Sequence, residues 1–193
     1  MISLPSVICN MFASATPIAL AGVGGMFGER SGITNIGLDG TMLFAAFTAV
    51  TACYYTGSPW IALLAGILSG VLVSFLHAYF CISLKVDQTI IGLAVNILAA
   101  SVTVYASSSI FGNKGFTPSV TKLPNISIPG LRDLPVVGAF FDSASLVTLL
   151  VLPVVLLAHY LLYKTPFGMR TIAVGQNPQA AFVSTSRRPS TSP

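Results

Sequence analysis

The first 84 residues of the chain carry three charged side chains, Glu29, Arg30 and Asp39, and the next is Lys85. Soluble domains carry about 25% charged residues, against 7% here. With 54% hydrophobic residues and a mean hydropathy of +0.85, most of the surface must face lipid. A helix crosses the hydrocarbon core with about 20 apolar residues. Five stretches, roughly 5–27, 33–55, 59–84, 89–111 and 146–163, meet that length. They are continuous rather than alternating, which excludes barrel strands. The expected fold is an all-α polytopic membrane protein with about five transmembrane helices. Residues 1–27 contain no charge, so they lack the basic start of a secretory signal peptide, and the first span is expected to be retained.

The connections differ in length. Gly57-Ser58-Pro59 and Lys85-Val86-Asp87 read as tight turns. Tyr54, Tyr55 and Trp60 beside the first suit an interfacial belt. Residues 112–145 form one long loop with Pro118, Pro124, Pro129 and Pro135, and its apolar run 134–141 is too short to span. Lys85, Lys164, Arg170, Arg187 and Arg188 favour placing those segments in the cytoplasm, with the long loop and the N-terminus outside and the 28–32 turn inside. The long loop's own Lys114, Lys122 and Arg132 pull against that orientation.

Few side chains suggest bond chemistry. Cys9, Cys53 and Cys81 lie singly in apolar runs without metal-ligand spacing, and His77 and His159 stand far apart near span ends. No catalytic residue, metal site or cofactor is expected. Gly22-x-Gly24 has Phe27 where a dinucleotide fingerprint needs glycine. The net charge of +4 is spread over span ends and loops, with no basic run but Arg187-Arg188, so nucleic acid is not an expected partner. Membrane lipid is.

The polar exception is GERSGITNIGLDG at 28–40, with three charges and four glycines in thirteen residues. Taken as part of the second helix, Asn35 and Asp39 are four apart and share a face. A charge near mid-membrane costs at least ~2.5–3.5 kcal/mol, so Asp39 needs a partner, a wet cavity or a substrate path. Gly32, Gly37 and Gly40 favour close helix approach or local unwinding, so the second helix is expected to be irregular or broken near Gly32–Gly40. Two explanations stand for the stretch. Asn35 and Asp39, with Phe44 further along, line a substrate pathway, or Glu29 or Asp39 pairs with Arg30 to pin a helix end. Asn96 on the fourth helix either bonds across to a neighbour or faces the cavity. Gly22, Gly25 and Gly28 form a small-residue row, and Gly66-x-x-x-Gly70 marks a packing face on the third helix.

The stretch ERSGITNIGLDGTM resembles the signature of permease subunits of bacterial ATP-binding-cassette importers for nucleosides and simple sugars. Glu29, Arg30, Ser31, Gly32, Asn35, Ile36, Gly37, Gly40 and Met42 match the pattern, and Asp39 stands where Glu is usual. Within 89–99, Gly92-Leu93-Ala94-x-Asn96 resembles the family's mid-chain helix, and 165–181 resembles its cytoplasmic loop, with Gln176 in place of Glu. The resemblance implies a multi-pass subunit of the bacterial inner membrane that pairs with a second permease subunit. It also implies two ATPase subunits and an extracytoplasmic substrate-binding lipoprotein as partners. The loop would couple the ATPases to the bundle through Pro166, Gly168, Arg170, Gly175, Asn177, Pro178, Ala180 and Ala181. Pro166 and Gly168 are expected to break the helix after Lys164, and Gly175 with Asn177-Pro178 to make a further turn. Residues 179–181 would then begin a short helix. No GxxxxGK[ST] motif occurs, so ATP hydrolysis is expected in separate subunits and this chain is not expected to be an enzyme.

Residues 1–181 thus read as a partial permease domain. Residues 182–193, FVSTSRRPSTSP, depart from the family pattern and read as a disordered tail, frameshifted or truncated. The expected function is a permease subunit working by ATP-driven alternating access. The alternative is a truncated, non-transporting membrane fragment lacking the C-terminal helices.

Overall fold

The computed structural model describes residues 4–112, 117–121 and 146–177. Among them run α1 (Leu4–Arg30), α2 (Leu38–Thr56), α3 (Pro59–Ile82), α4 (Gln88–Phe111), α5 (Leu146–Lys164) and α6 (Pro166–Gln176). They divide into two compact units, one of 1–34 with 125–193 and one of 35–124. The 134–141 run and the 182–193 tail lie outside the described residues.

The all-α expectation holds. Met11–Arg30 of α1, α3 and α4 are long and apolar enough to cross a membrane; α5 and α6, bent by 69°, would make a fourth if they count as one span. The expected second span is the one that differs. It starts at Leu38 instead of near Ile33, which removes Ile33 and Ile36 from the helix and leaves 19 residues. Asp39, a series of threonines and Tyr54-Tyr55 then dilute its apolar character.

In the 35–124 unit, α2 packs along α3 and against α4. Small residues set the α2–α3 distance. A Cβ on Gly66 would lie 3.2 Å from the Ala49 Cβ and 3.3 Å from the Ala45 carbonyl oxygen, and one on Gly70 would lie 3.7 Å from the Ala45 Cβ. The Gly66-x-x-x-Gly70 face therefore meets Ala45 and Ala49, four residues apart on α2. Beside it the Thr48 and Ser69 hydroxyls hydrogen-bond across the helices at 2.5 Å.

Turn chemistry fixes the ends. Gly57 closes α2 in the left-handed conformation (φ 68°) and donates its N–H to the Cys53 carbonyl, and Pro59 opens α3. The Asp87 carboxylate accepts from the Thr89 and Ile90 N–H groups at 2.8 and 3.2 Å and caps α4.

Hydroxyl groups inside the helices return to the backbone. Thr16 donates to the Phe12 carbonyl, Thr51 to Phe47, Ser101 to Ile97 and Thr103 to Ala99. Each satisfies its proton within its own helix, so the surrounding lipid need supply no partner. Large apolar side chains such as Leu68, Phe75, Ile97 and Leu156 stand exposed, as lipid-facing surfaces require.

Leucine at Gly66 should wedge α2 from α3. Gly66→Leu is expected to lower the unfolding midpoint in detergent by about 1–3 kcal/mol of stability. The exposed neighbour change Ile67→Leu should leave the midpoint unmoved.

Candidate functional site

The GERSGITNIGLDG stretch spans the passage from one unit to the other, between Thr34 and Asn35. Its first part ends α1. Gly32 has φ 86° and donates to the Glu29 carbonyl at 3.1 Å, while Ile33 N–H reaches back to Gly28 at 3.0 Å. This pair of bonds is a Schellman cap, and the left-handed residue it needs is Gly32. The Ser31 hydroxyl adds a third bond, to the Gly28 carbonyl at 2.7 Å. Arg30 places its guanidinium carbon 5.7 Å from the Tyr163 ring centroid, so its cation meets the last turn of α5.

The second part opens α2 without regular helix. Asn35 lies before the helix, and its side-chain oxygen accepts from the Gly37 N–H at 2.9 Å. The expectation that Asn35 and Asp39 share a helical face is therefore corrected: the local side-chain bond holds residues 35–37 in a turn that competes with helix. Asp39 sits in the first helical turn, exposed, where a carboxylate complements the helix dipole.

Asn96 bonds across helices. Its carboxamide oxygen accepts from the Gly40 N–H at 2.7 Å and its nitrogen donates to the Ile36 carbonyl at 3.1 Å. The helix cap of α2 has no side-chain bond of its own. Asn96 supplies from α4 what an N-cap residue would supply from within. Contact this close requires bare backbone on both sides. A Cβ on Gly40 would lie 2.8 Å from the Asn96 Cα, and one on Gly92 would lie 2.9 Å from the Gly37 nitrogen. Sequence reasoning did not single out Gly92 by itself; its spacing of four from Asn96 is the signal that puts both on one face of α4.

The coupling segment also differs from expectation. Pro166 does follow a break, with the Thr165 hydroxyl accepting from the Gly168 N–H at 3.3 Å. Gly168 and Gly175, however, lie inside the continuous helix α6 instead of interrupting it. They are seven residues apart and share a face. A Cβ on Gly168 would run into the carbonyls of Leu161 and Leu162, and one on Gly175 would strike the Arg30 carbonyl and lie 2.9 Å from the Gly32 nitrogen. Both glycines serve close approach. One seats α6 on the end of α5, and the other seats it on the α1 cap. Phe167, Met169, Arg170 and Val174 are left exposed. Asn177 ends the helix, and Pro178, Ala180 and Ala181 lie outside the described residues.

Phe44 is half-buried on α2 but is not among the residues lining a neighbouring cavity of its unit. That cavity, of about 310 Å³, lies between α2 and α4, with Phe47, Val50, Thr103, Ser107 and Thr117 among its walls. On α1, a Cβ at Gly22 would meet nothing within 4 Å, so that glycine lies open.

These paired glycine contacts fall on the segments that resemble importer permeases. Residues 7–186 match the family model described as the branched-chain amino acid transport system / permease component. The chain belongs to this permease family. It is a multi-pass protein of the cytoplasmic membrane. It is 38% identical over 174 residues to a guanosine ABC transporter permease protein of Bacillus subtilis, covering 86% of this chain and 54% of that one. It is 37% identical over 186 residues to a nucleoside ABC transporter permease protein of Lactococcus lactis subsp. cremoris, covering 93% and 58%. A putative glucose ABC transporter permease protein of Haloferax volcanii is 35% identical over 175 residues, covering 87% and 51%. The chain thus spans about half the length of the curated relatives it matches. No solved structure matches.

Replacing Asn96 by Leu should leave the Gly40 N–H and Ile36 C=O without partners, at about 1–3 kcal/mol each. Gly40→Ala is a second test with opposed expectations. Helix propensity alone favours Ala by about 1 kcal/mol, whereas the contact with Asn96 predicts a loss. Unfolding in a graded detergent mixture should show both variants less stable than the parent.

Proposed function

We propose that the chain is a permease subunit of an ATP-binding-cassette importer that carries nucleosides by alternating access. The observation that carries this reading is the seating of α6. It is a short helix beyond the last described span, fastened by Gly168 to α5 and by Gly175 to the α1 cap. Its other face presents Phe167, Met169, Arg170 and Val174. A helix so placed suits a partner that pushes on it, because any displacement must move the ends of two membrane helices. The partner of this reading is a pair of ATPases, with a sister permease subunit and an extracytoplasmic binding lipoprotein completing the importer. The relatives named for guanosine and for nucleosides support nucleosides as the solute class.

In this mechanism ATP-driven closure of the ATPases displaces α6. The displacement reaches the Schellman cap at Gly32 through the Gly175 contact and passes along Ile33 and Thr34 towards α2. Asp39 lies exposed in the first turn of α2, the helix to which that segment leads, and Asn35 shapes the turn before it. Glu29 and Arg30 keep a structural role at the α1 end.

The test is co-expression with candidate ATPases and binding protein, followed by uptake in proteoliposomes. ATP-dependent nucleoside uptake is expected, with Arg170→Glu losing most of it while the ATPases still hydrolyse ATP. Gly175→Leu should do the same by unseating α6. If no ATPase co-purifies and uptake is independent of ATP, the proposal fails and a non-transporting fragment is the better description.

A further inference from the structure

The permease reading takes nucleosides from the names of two relatives and does not say where on this chain such a solute is held. The family model is described for branched-chain amino acids, and the relatives are named for nucleosides and for glucose. The cavity between α2 and α4 distinguishes them by its walls. We propose that it is a subsite for an uncharged nucleoside, with the base against Phe47 and the sugar hydroxyls towards Thr103, Ser107 and Thr117. The inference rests on the permease reading and deepens it.

The argument begins with charge. Every described residue lining the cavity is neutral: besides Phe47 and three hydroxyl residues, they are Leu43, Ala46, Val50, Ala100 and Val104. An amino acid would bring both a carboxylate and an ammonium against a wall with no counter-ion among its described residues, and a nucleotide would bring a phosphate. Burying an unpaired charge is far more costly than burying a neutral polar group. The cavity therefore disfavours both.

The second step concerns polarity. Glucose presents hydroxyls around its whole ring and needs hydrogen-bonding groups on several sides. Here the polar groups among the described residues are hydroxyls of Thr103, Ser107 and Thr117, and the other described walls are apolar. Thr103 and Ser107 are both buried and four apart on α4, so they fall on one side. The Thr103 proton already goes to the Ala99 carbonyl at 2.7 Å, which leaves its oxygen as an acceptor for a hydroxyl donor. One polar side and one apolar side suit a molecule that is itself so divided: a ribose joined to a flat base.

The third step is the ring. Phe47 packs edge-wise on Phe111 with centroids 6.4 Å apart, and Phe111 packs edge-wise on Tyr54 at 5.1 Å. These ring contacts hold the Phe47 side chain, so a base stacking on it need not first order it. The cavity volume of about 310 Å³ lies at the small end of ligand sites, which run from about 300 to 1,000 Å³.

The experiment is equilibrium binding of tritiated guanosine to the full chain in lipid nanodiscs, with adenosine, D-glucose and L-leucine as competitors. Saturable binding is expected, displaced by adenosine and not by equal concentrations of glucose or leucine. Phe47→Ala should weaken it by about ten-fold, the scale of a lost base–aromatic stack. Phe47→Leu, which fills the space without a ring, should weaken it too, whereas Phe47→Tyr, which keeps the ring, and Phe75→Ala, at an exposed position of α3, should bind like the parent. Circular dichroism and unfolding midpoints guard against misfolded variants. No saturable binding, equal binding by folded Phe47→Ala and Phe47→Leu, or displacement by leucine or glucose as strong as by adenosine overturns the proposal. Co-purification with the ATPases is read separately. Association without guanosine binding removes this subsite and leaves the permease reading intact. Guanosine binding without association does the reverse.

Discussion

One carboxamide, that of Asn96, decides how α2 can begin inside a membrane. A helix start leaves several N–H groups without partners, and a bilayer core has no water to supply them. By helix geometry Asn96 lies about 12 Å along α4 from its first residue, so the Gly40 N–H that it accepts lies beside the interior of that helix and not at its end. The same side chain takes up the Ile36 carbonyl just before the helix. An amide does both at once because it has a donor and an acceptor. The glycines at 37, 40 and 92 follow from this contact, since the amide reaches only where no Cβ intervenes.

The spans were the most legible part of the sequence, and their ends were legible where turn chemistry marks them. Pro59 and Phe111 bound α3 and α4 as expected, because Gly57-Ser58-Pro59 is a turn by composition and Gly112 takes a left-handed φ of 71°. The start of α2 was placed too early because Ile33 and Ile36 are apolar, and hydropathy does not register a backbone that leaves the helix. The glycines of the stretch did signal a break there, and it lies within the expected Gly32–Gly40 region.

Glycine was also the source of the clearest misjudgement. The lack of a Cβ permits a left-handed turn and permits close approach, and the sequence does not say which use is made. Gly32 makes the turn, with φ 86°. Gly168 and Gly175 make the approach and lie inside a helix. Which use applies depends on the neighbour: the end of α5 for one and the α1 cap for the other. Phe44 and Phe47 pose a similar difficulty of phase. They are three apart on α2, and the packing of α2 against α4 assigns the cavity to Phe47. Nothing in composition distinguishes the two.

The tight junction between α2 and α4 bears on how a solute site between them would operate. The cavity walls are residues 43–50 of α2 and 100–107 of α4, with Thr117 beyond. Those same helices are joined nearer their N-terminal ends by the Asn96 bonds and the Gly37–Gly92 and Gly40–Asn96 contacts. Separating them would expose at least one N–H and one C=O to lipid, at about 1–3 kcal/mol for each group. The Thr48–Ser69 bond and the small-residue face tie α3 to the same body. A cavity with walls fastened in this way is a poor candidate for opening by parting of α2 from α4. In the proposed cycle its access changes through movement of whatever faces its open side, while α2 and α4 carry the ring and the hydroxyls together. Such a site would keep its geometry for the base throughout the cycle, so release follows a change in access to the cavity and needs no rearrangement of the wall that carries Phe47.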